Sequence, residues 1–247
     1  MVYSHIGDYD RALREYNLAE DLYRKIGYKS GLLAVLNNKA TIHSRLNNYE
    51  EALYAYNKTA NEAEKISDKN IQAVALNNVG SILQQIEEYD EALEYFKRAY
   101  DIAAVHDLKD VMTSTKRNLA FTYALGFKDT EKAIPFIESA LKDFEEAGLS
   151  YKAILTQTEA IEIYMTSGQY EKAFELSSNL IASIEKYQYK PLLIEAFVNH
   201  AYLSKISGNK TSFHTYLRKS QELAFSEPRL ETHVNSFREG IADVLIY

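Results

Sequence analysis

Apolar side chains recur along this chain on two scales. Within residues 89–106 they fall at Tyr89, Ala92, Leu93, Tyr95, Phe96, Ala99, Tyr100, Ile102 and Ala103. Steps of three and four residues lay such positions along one wide stripe of a helix. On the longer scale the motif is an aromatic, two residues, then alanine. It occurs as Tyr9/Ala12, Tyr49/Ala52 and Tyr89/Ala92, as Ala133 without its aromatic, and as Tyr170/Ala173. Ala12 to Ala52 and Ala52 to Ala92 are steps of 40, Ala92 to Ala133 is a step of 41, and Ala133 to Ala173 is again 40. A degenerate sixth copy holds Lys210 and Phe213. Shifted by 40, LNNVGSILQQIEEYDEALEYFKRA at 76–99 lies on LNNKATIHSRLNNYEEALYAYNKT at 36–59. A fixed period of this size marks a solenoid of stacked units.

Small residues mark where helices must touch. Four residues beyond the first four of these alanines stands a larger group, Tyr16, Tyr56, Phe96 or Ile137. A second line, Ala40, Gly80, Ala120, Ile161 and Ala201, runs through the first helix of each unit. Short polar turns separate the stripes at Gly7-Asp8, Asn47-Asn48, Glu87-Glu88, Gly168-Gln169 and Gly208-Asn209. Glycine suits the left-handed residue that ends a helix. The stretch Gly126–Thr130 is one residue longer, which accounts for the step of 41. The pattern predicts helices near 9–26, 30–46, 50–66, 70–86, 89–106, 109–125, 130–147, 150–167, 170–187, 190–207 and 210–225. All of 1–247 reads as one domain. Both ends look cut: Met1–Ile6 reads as the end of a first helix, and Pro228 opens a helix at 229–246 with an apolar finish. A longer natural chain is therefore expected.

Composition narrows the classes. Only 3 Pro and 9 Gly suit long helices rather than a many-turned β fold. The absence of Cys excludes disulfides, thiolate metal sites and cysteine nucleophiles. The net charge is −7 with both signs interleaved, and no basic stripe suggests direct nucleic-acid contact. No apolar run approaches a membrane span and no signal-peptide layout is present. A cytoplasmic protein is expected.

The units resemble the tetratricopeptide repeat. Its pattern has L-G-x2-Y in the first helix and A-x3-F in the second. Val79-Gly80-x2-Leu83 and Ala92-x3-Phe96 match best, with Leu119-Ala120-x2-Tyr123 and Ala52-x3-Tyr56 beside them. A period of 40 looks like the long-repeat branch seen in kinesin light chains, spindle-orientation adaptors and Rap-type bacterial regulators. HEAT and armadillo units have similar periods but lack A-x3-F. The resemblance implies an all-α, right-handed superhelix of about six helix pairs, with first helices lining a concave face that holds peptides.

Little in the chain suggests catalysis. None of the six histidines pairs at zinc-binding spacing, and there is no phosphate loop, nucleophile elbow or dinucleotide fingerprint. Paired carboxylates such as Glu145-Glu146 read as solvated helix ends. No cofactor or metal is expected, and no enzymatic activity. The asparagines are different. Asn38, Asn78 and Asn118 recur once per repeat, and the line continues through Glu159 to Asn199. Asparagine costs roughly half a kcal/mol against alanine inside a helix, so its recurrence needs a reason. One is recognition of a peptide backbone, which the resemblance implies for this position and which an amide's donor and acceptor suit. The other is bonding between neighbouring helices. Asn37 and Asn77 lie beside the line. Arg45, Lys116 and Arg117 add positive charge nearby, and Glu159, Glu162 and Glu195 add negative charge further on. The Lys or Arg of a chaperone-tail clamp is missing, since Ala34, Val74 and Ser114 stand in its places. The expected function is a scaffold holding a protein or peptide segment. The alternative is the ligand-sensing part of a larger bacterial regulator.

Overall fold

A computed structural model describes residues 9–187 and 190–226. The Gly7-Asp8 turn, the half-helix at Met1–Ile6 and the helix at 229–246 lie outside the described residues. Among the described residues the chain is all helix and turn, in eleven α-helices and one π turn. In order these are α1 (Tyr9–Ile26), α2 (Lys29–Arg45), α3 (Tyr49–Lys65), α4 (Lys69–Gln85), α5 (Tyr89–Val105), α6 (Lys109–Phe121), α7 (Thr130–Glu146), α8 (Ser150–Thr166), α9 (Tyr170–Tyr187), α10 (Lys190–Ile206) and α11 (Lys210–Ser226). The predicted spans hold to within a few residues. The chain divides into two compact units, residues 1–128 and 129–247.

One device ends most of these helices. A residue with positive φ follows the last turn at Gly27, Asn47, Ser67, Glu87, Asp107, Lys128, Gly148, Gly168 and Gly208. The N–H of the next residue then reaches back into the helix: Asn48 to the His43 carbonyl at 2.9 Å, Leu108 to Ala103 at 2.8 Å and Gln169 to Tyr164 at 2.8 Å. That is the geometry of a Schellman cap. Within each unit, repeated after one helix and then the next, it reverses the chain each time.

The extra residue of the fourth repeat is not in its turn. Thr122–Gly126 is a single π turn continuing α6, and only Phe127, Lys128 and Asp129 separate it from α7. An inserted residue inside a helix widens one turn to i→i+5 bonding and leaves the flanking helix intact. The connection keeps the length of the others.

The small-residue lines form the cores. In unit 1, Ala40 and Ala52 are fully buried and cluster with Tyr56, Val79 and Ile82. A Cβ added at Gly80 would lie 2.7 Å from the Phe96 ring, so that ring packs directly on bare backbone. Leu76 packs with Ala60, Ala75 and Ala99, and Ile102 lies against them. In unit 2, Ala133, Ile137, Ala140, Ile161, Ala173, Leu180 and Ile184 are completely enclosed.

Candidate functional site

In unit 1, α2 packs on α1 and α3, α4 packs on α3 and α5, and α6 packs on α5. The first helices α2, α4 and α6 also meet one another directly, more closely than the second helices do. The closer set lies on the inside of a curve, so these three helices line the inner side of unit 1. The period-matched asparagines stand along them.

Their amides form a ladder. Asn78 Nδ2 donates to Asn37 Oδ1 at 3.2 Å, across from α4 to α2. One repeat on, Asn118 Nδ2 donates to Asn77 Oδ1 at 3.0 Å and meets Ser81 Oγ at 3.3 Å. Thr115 Oγ1 lies 3.0 Å from Asn77 Oδ1. Gln84 Nε2 then ties α4 to the end of α6 through the Asn118 carbonyl and Thr122 Oγ1, at 3.2 and 2.8 Å. Each step thus joins one residue of the Asn38 line to its neighbour on the Asn37 line one repeat earlier. The helix-bonding role is present for Asn37, Asn77, Asn78 and Asn118. Asn38, half-buried on α2, takes no part in either step. An amide has two donors and an accepting oxygen. Asn78 uses one donor in the ladder and Asn118 uses both, so the further capacity is one donor and the oxygen of Asn78 and the oxygen of Asn118.

Sequence reasoning missed Thr115, Ser81, Gln84 and Thr122. The signal was available: two adjacent asparagine lines, not one, are what a diagonal bond between repeats requires. Arg117 continues the Asn37 line and is half-buried on α6 with Lys116 beside it, while Arg45 is exposed at the end of α2. At the other edge of the ladder, Lys39 Nζ bonds Asn17 Oδ1 and Glu20 Oε2, both at 2.9 Å. The Lys39 and Arg24 bonds hold the Glu20 carboxyl below its ordinary range.

Unit 2 does not repeat the ladder. Thr158 occupies the accepting place, and its Oγ1 turns back to the Ile154 carbonyl at 3.2 Å. Glu159 occupies the donating place, where an ionised carboxylate has no proton to give. Asn199 is half-buried on α10. What gathers here is negative charge. Glu162 opens to solvent, yet protein crowds it and Glu195 and Glu159 stand near. Loss of hydration, then the Glu195 and Glu159 charges, raise its carboxyl to about 7.

A buried histidine lies further along unit 2. His200 Nδ1 is 2.7 Å from Ser177 Oγ, and its ring packs on Phe174 and Tyr216 at 4.6 and 4.2 Å between centroids. Burial, with Lys219 nearby, pushes its pKa down. Among the described residues there is no grouping of side chains that could hold a metal ion, and no helix is long and apolar enough to cross a membrane.

Comparison with known proteins follows the repeat. The family model described as "Tetratricopeptide repeat" matches residues 1–65 and 71–146. No curated protein matches the sequence. Among solved structures, BtubC (BKLC) from P. vanneervenii is similar at TM-score 0.78 and 14% identity, over 89% of this chain and 92% of that one. A signal transduction ATPase with numerous domains, PH0952 from Pyrococcus horikoshii, carries a tetratricopeptide repeat sensor. It is similar at TM-score 0.74 and 20% identity, over 95% of this chain and 37% of that one. A Rap protein solved in complex with Competence and Sporulation Factor is similar at TM-score 0.68 and 16% identity, over 83% of this chain and 57% of that one. At these identities the likeness is one of fold: an all-α repeat solenoid.

Proposed function

Since the chain belongs to the tetratricopeptide repeat family, we propose that it is a non-catalytic scaffold whose first helices hold an extended protein or peptide segment. The observation that carries this reading is the file of amides along α2, α4 and α6, on the inner side of unit 1. Asn78 and Asn118 are held by their own bonds, and with Asn38 outside the ladder the three present accepting oxygens one repeat apart, with donors left at Asn38 and Asn78. Stacked helix pairs advance about 10 Å, roughly three residues of extended chain. Successive amides can therefore address successive backbone groups of a ligand whatever its side chains.

The charges add selectivity within each unit. Arg45, Lys116 and Arg117 favour acidic groups on a segment held by unit 1. The carboxylates of Glu159, Glu162 and Glu195 favour basic groups at unit 2, where Asn199 adds an amide. Residues 1–247 as one solenoid domain, working in the cytoplasm without direct contact to nucleic acid or membrane, complete the proposal.

Selection of a displayed random peptide library on the whole chain tests it. Recovered peptides should share an extended acidic segment. Asn38→Ala should weaken them roughly fivefold to a hundredfold, the equivalent of ~1–3 kcal/mol for an unpaired ligand group. Failure to enrich any peptide, or affinities indifferent to Asn38→Ala and Arg117→Ala, would refute the assignment.

The second reading, a ligand-sensing part of a larger regulator, is supported by the sensor-bearing ATPase, of which the matched region is 37%. The sequence of the full gene decides it: an adjoining ATPase or DNA-binding domain supports the sensor, and none refutes it.

A further inference from the structure

Unit 2 contains a cavity that its own repeat pattern would close. It lies where the C-terminal ends of α7 and α9 meet the first half of α8, and its volume is about 190 Å3. Phe144, Glu145, Ser150, Gln157, Ser183 and Tyr187 are among the residues that line it. Two repeats separate α4 from α8 and α5 from α9, so that Lys69 corresponds to Ser150 and Tyr89 to Tyr170 at the helix starts. In the same alignment Gln157 falls on Leu76 and Ser183 on Ile102. In unit 1 Leu76 is buried, and Ile102 packs against its cluster. Unit 2 therefore places an amide and a hydroxyl where unit 1 packs two aliphatic side chains.

The amide is half satisfied. Gln157 is 6% exposed. Its Nε2 donates to Glu145 Oε1 at 3.2 Å, which fixes the oxygen on the other side of the group. That oxygen is buried and has no hydrogen-bond partner among the described residues. A buried acceptor left unpaired is unfavourable, so the site lacks a donor. Beside it, exposed Glu145 supplies negative charge, and the hydroxyl of Ser183 supplies another acceptor. The Ser150 and Tyr187 side chains bond each other.

We propose that this cavity binds the primary ammonium group of a small ligand. An ammonium offers three donors and no acceptor. Gln157 Oε1, the Glu145 carboxylate and Ser183 Oγ are a matching set of acceptors. The volume equals about six waters at ~30 Å3 each, below the ~300 Å3 at which drug-sized clefts begin. The ligand is therefore a short amine. Two cations already stand by the lining: Lys152 Nζ lies 5.5 Å from the Phe144 ring centre and Lys186 Nζ 5.0 Å from that of Tyr187. They disfavour a second positive charge, so a monoamine binds better than a diamine. This site is separate from the amide file of unit 1 and does not rest on the reading given to it.

Titration of the isotope-labelled whole chain with n-butylammonium, followed by NMR, tests the proposal, with butyrate, n-butanol and putrescine as comparisons. Butylammonium should give saturable shifts at Glu145, Gln157 and Ser183 in the millimolar range. Butanol and putrescine should bind at least tenfold more weakly, and butyrate not at all. The pair Gln157→Leu with Ser183→Ile installs the residues of unit 1. It should abolish the shifts and raise the melting temperature by filling the cavity. Glu145→Gln should weaken butylammonium at least tenfold with the melting temperature unchanged, and it decides the matter if the double variant folds poorly. Shifts that survive both variants, equal binding of butanol and butylammonium, or no response to any amine would overturn the assignment.

Discussion

Asn78→Ala and Asn38→Ala should move stability in opposite directions, although the two asparagines occupy equivalent places one repeat apart. In Asn78→Ala the Asn37 oxygen loses the donor at 3.2 Å. Asn37 is 7% exposed, so water replaces that donor poorly. An unpaired buried acceptor costs ~1–3 kcal/mol. The bond is at the long end of the usual range, which favours the lower half of that figure. Alanine recovers roughly 0.5 kcal/mol of helix propensity. The net loss is about 0.5–1.5 kcal/mol, or ~1–6 °C in melting temperature for a chain of this size. Asn38 joins neither ladder step, so Asn38→Ala keeps the propensity gain and should melt at or slightly above the parent temperature. Urea unfolding followed by circular dichroism measures both, provided the slope is compared as well as the midpoint. Repeat arrays can lose cooperativity, and a changed slope would signal that. Equal destabilisation by the two variants, or a rise for Asn78→Ala, would refute the ladder as an element of repeat stacking.

Gly80→Ala should lower the unfolding midpoint despite alanine's helix propensity, because the new Cβ would stand 2.7 Å from the buried Phe96 ring and overpacking costs ~1–3 kcal/mol; a raised midpoint contradicts that packing. The raised carboxyl of Glu162 has a definite sign. The folded state holds this proton more tightly than the unfolded chain, so the associated stability is present below about 4.5 and is lost as pH rises through about 7. Glu162→Gln should therefore stabilise the protein at pH 8 relative to its effect at pH 4, and identical effects at both pH values would count against the carboxylate cluster. His200 runs the other way, since its folded pKa is depressed. Stability from keeping it neutral is present above about 6.5 and is lost as pH falls below that through the lower folded value. NMR titration of its ring should show a midpoint under the ordinary histidine value, and an ordinary midpoint would contradict the burial.

The repeat was legible because packing enforces it. An alanine or glycine is favoured where two helices approach closely, so Ala12, Ala52, Ala92, Ala133 and Ala173 print the architecture directly into the sequence. Helix ends were harder to read. Ser67, Glu87, Asp107 and Lys128 all take positive φ, a conformation that side chains resist and that glycine marks only where evolution has used glycine. The π turn was invisible as such: one extra residue fits a longer loop or a widened helical turn equally well on paper, and the packing around Thr122, fully buried, selects the second. At the candidate site the asparagine period was plain, but its partners were not. Hydrogen bonds from Asn78 to Asn37 and from Asn118 to Asn77 span 41 residues, one more than the period, and only a diagonal reading would have found them. The cavity beside Gln157 depends on two departures from the repeat, Gln157 on α8 and Ser183 on α9, whose meeting requires the fold.

The central claim is that the first helices of unit 1 form the binding surface, and hydrogen exchange with and without a selected peptide measures it most directly. Bound peptide should slow exchange in α2, α4 and α6 around Asn38, Asn78 and Asn118 and leave the middle of α3 and α5 unchanged. Protection confined to α3 and α5, with α2, α4 and α6 unaffected, would place the partner on the opposite face and contradict the account.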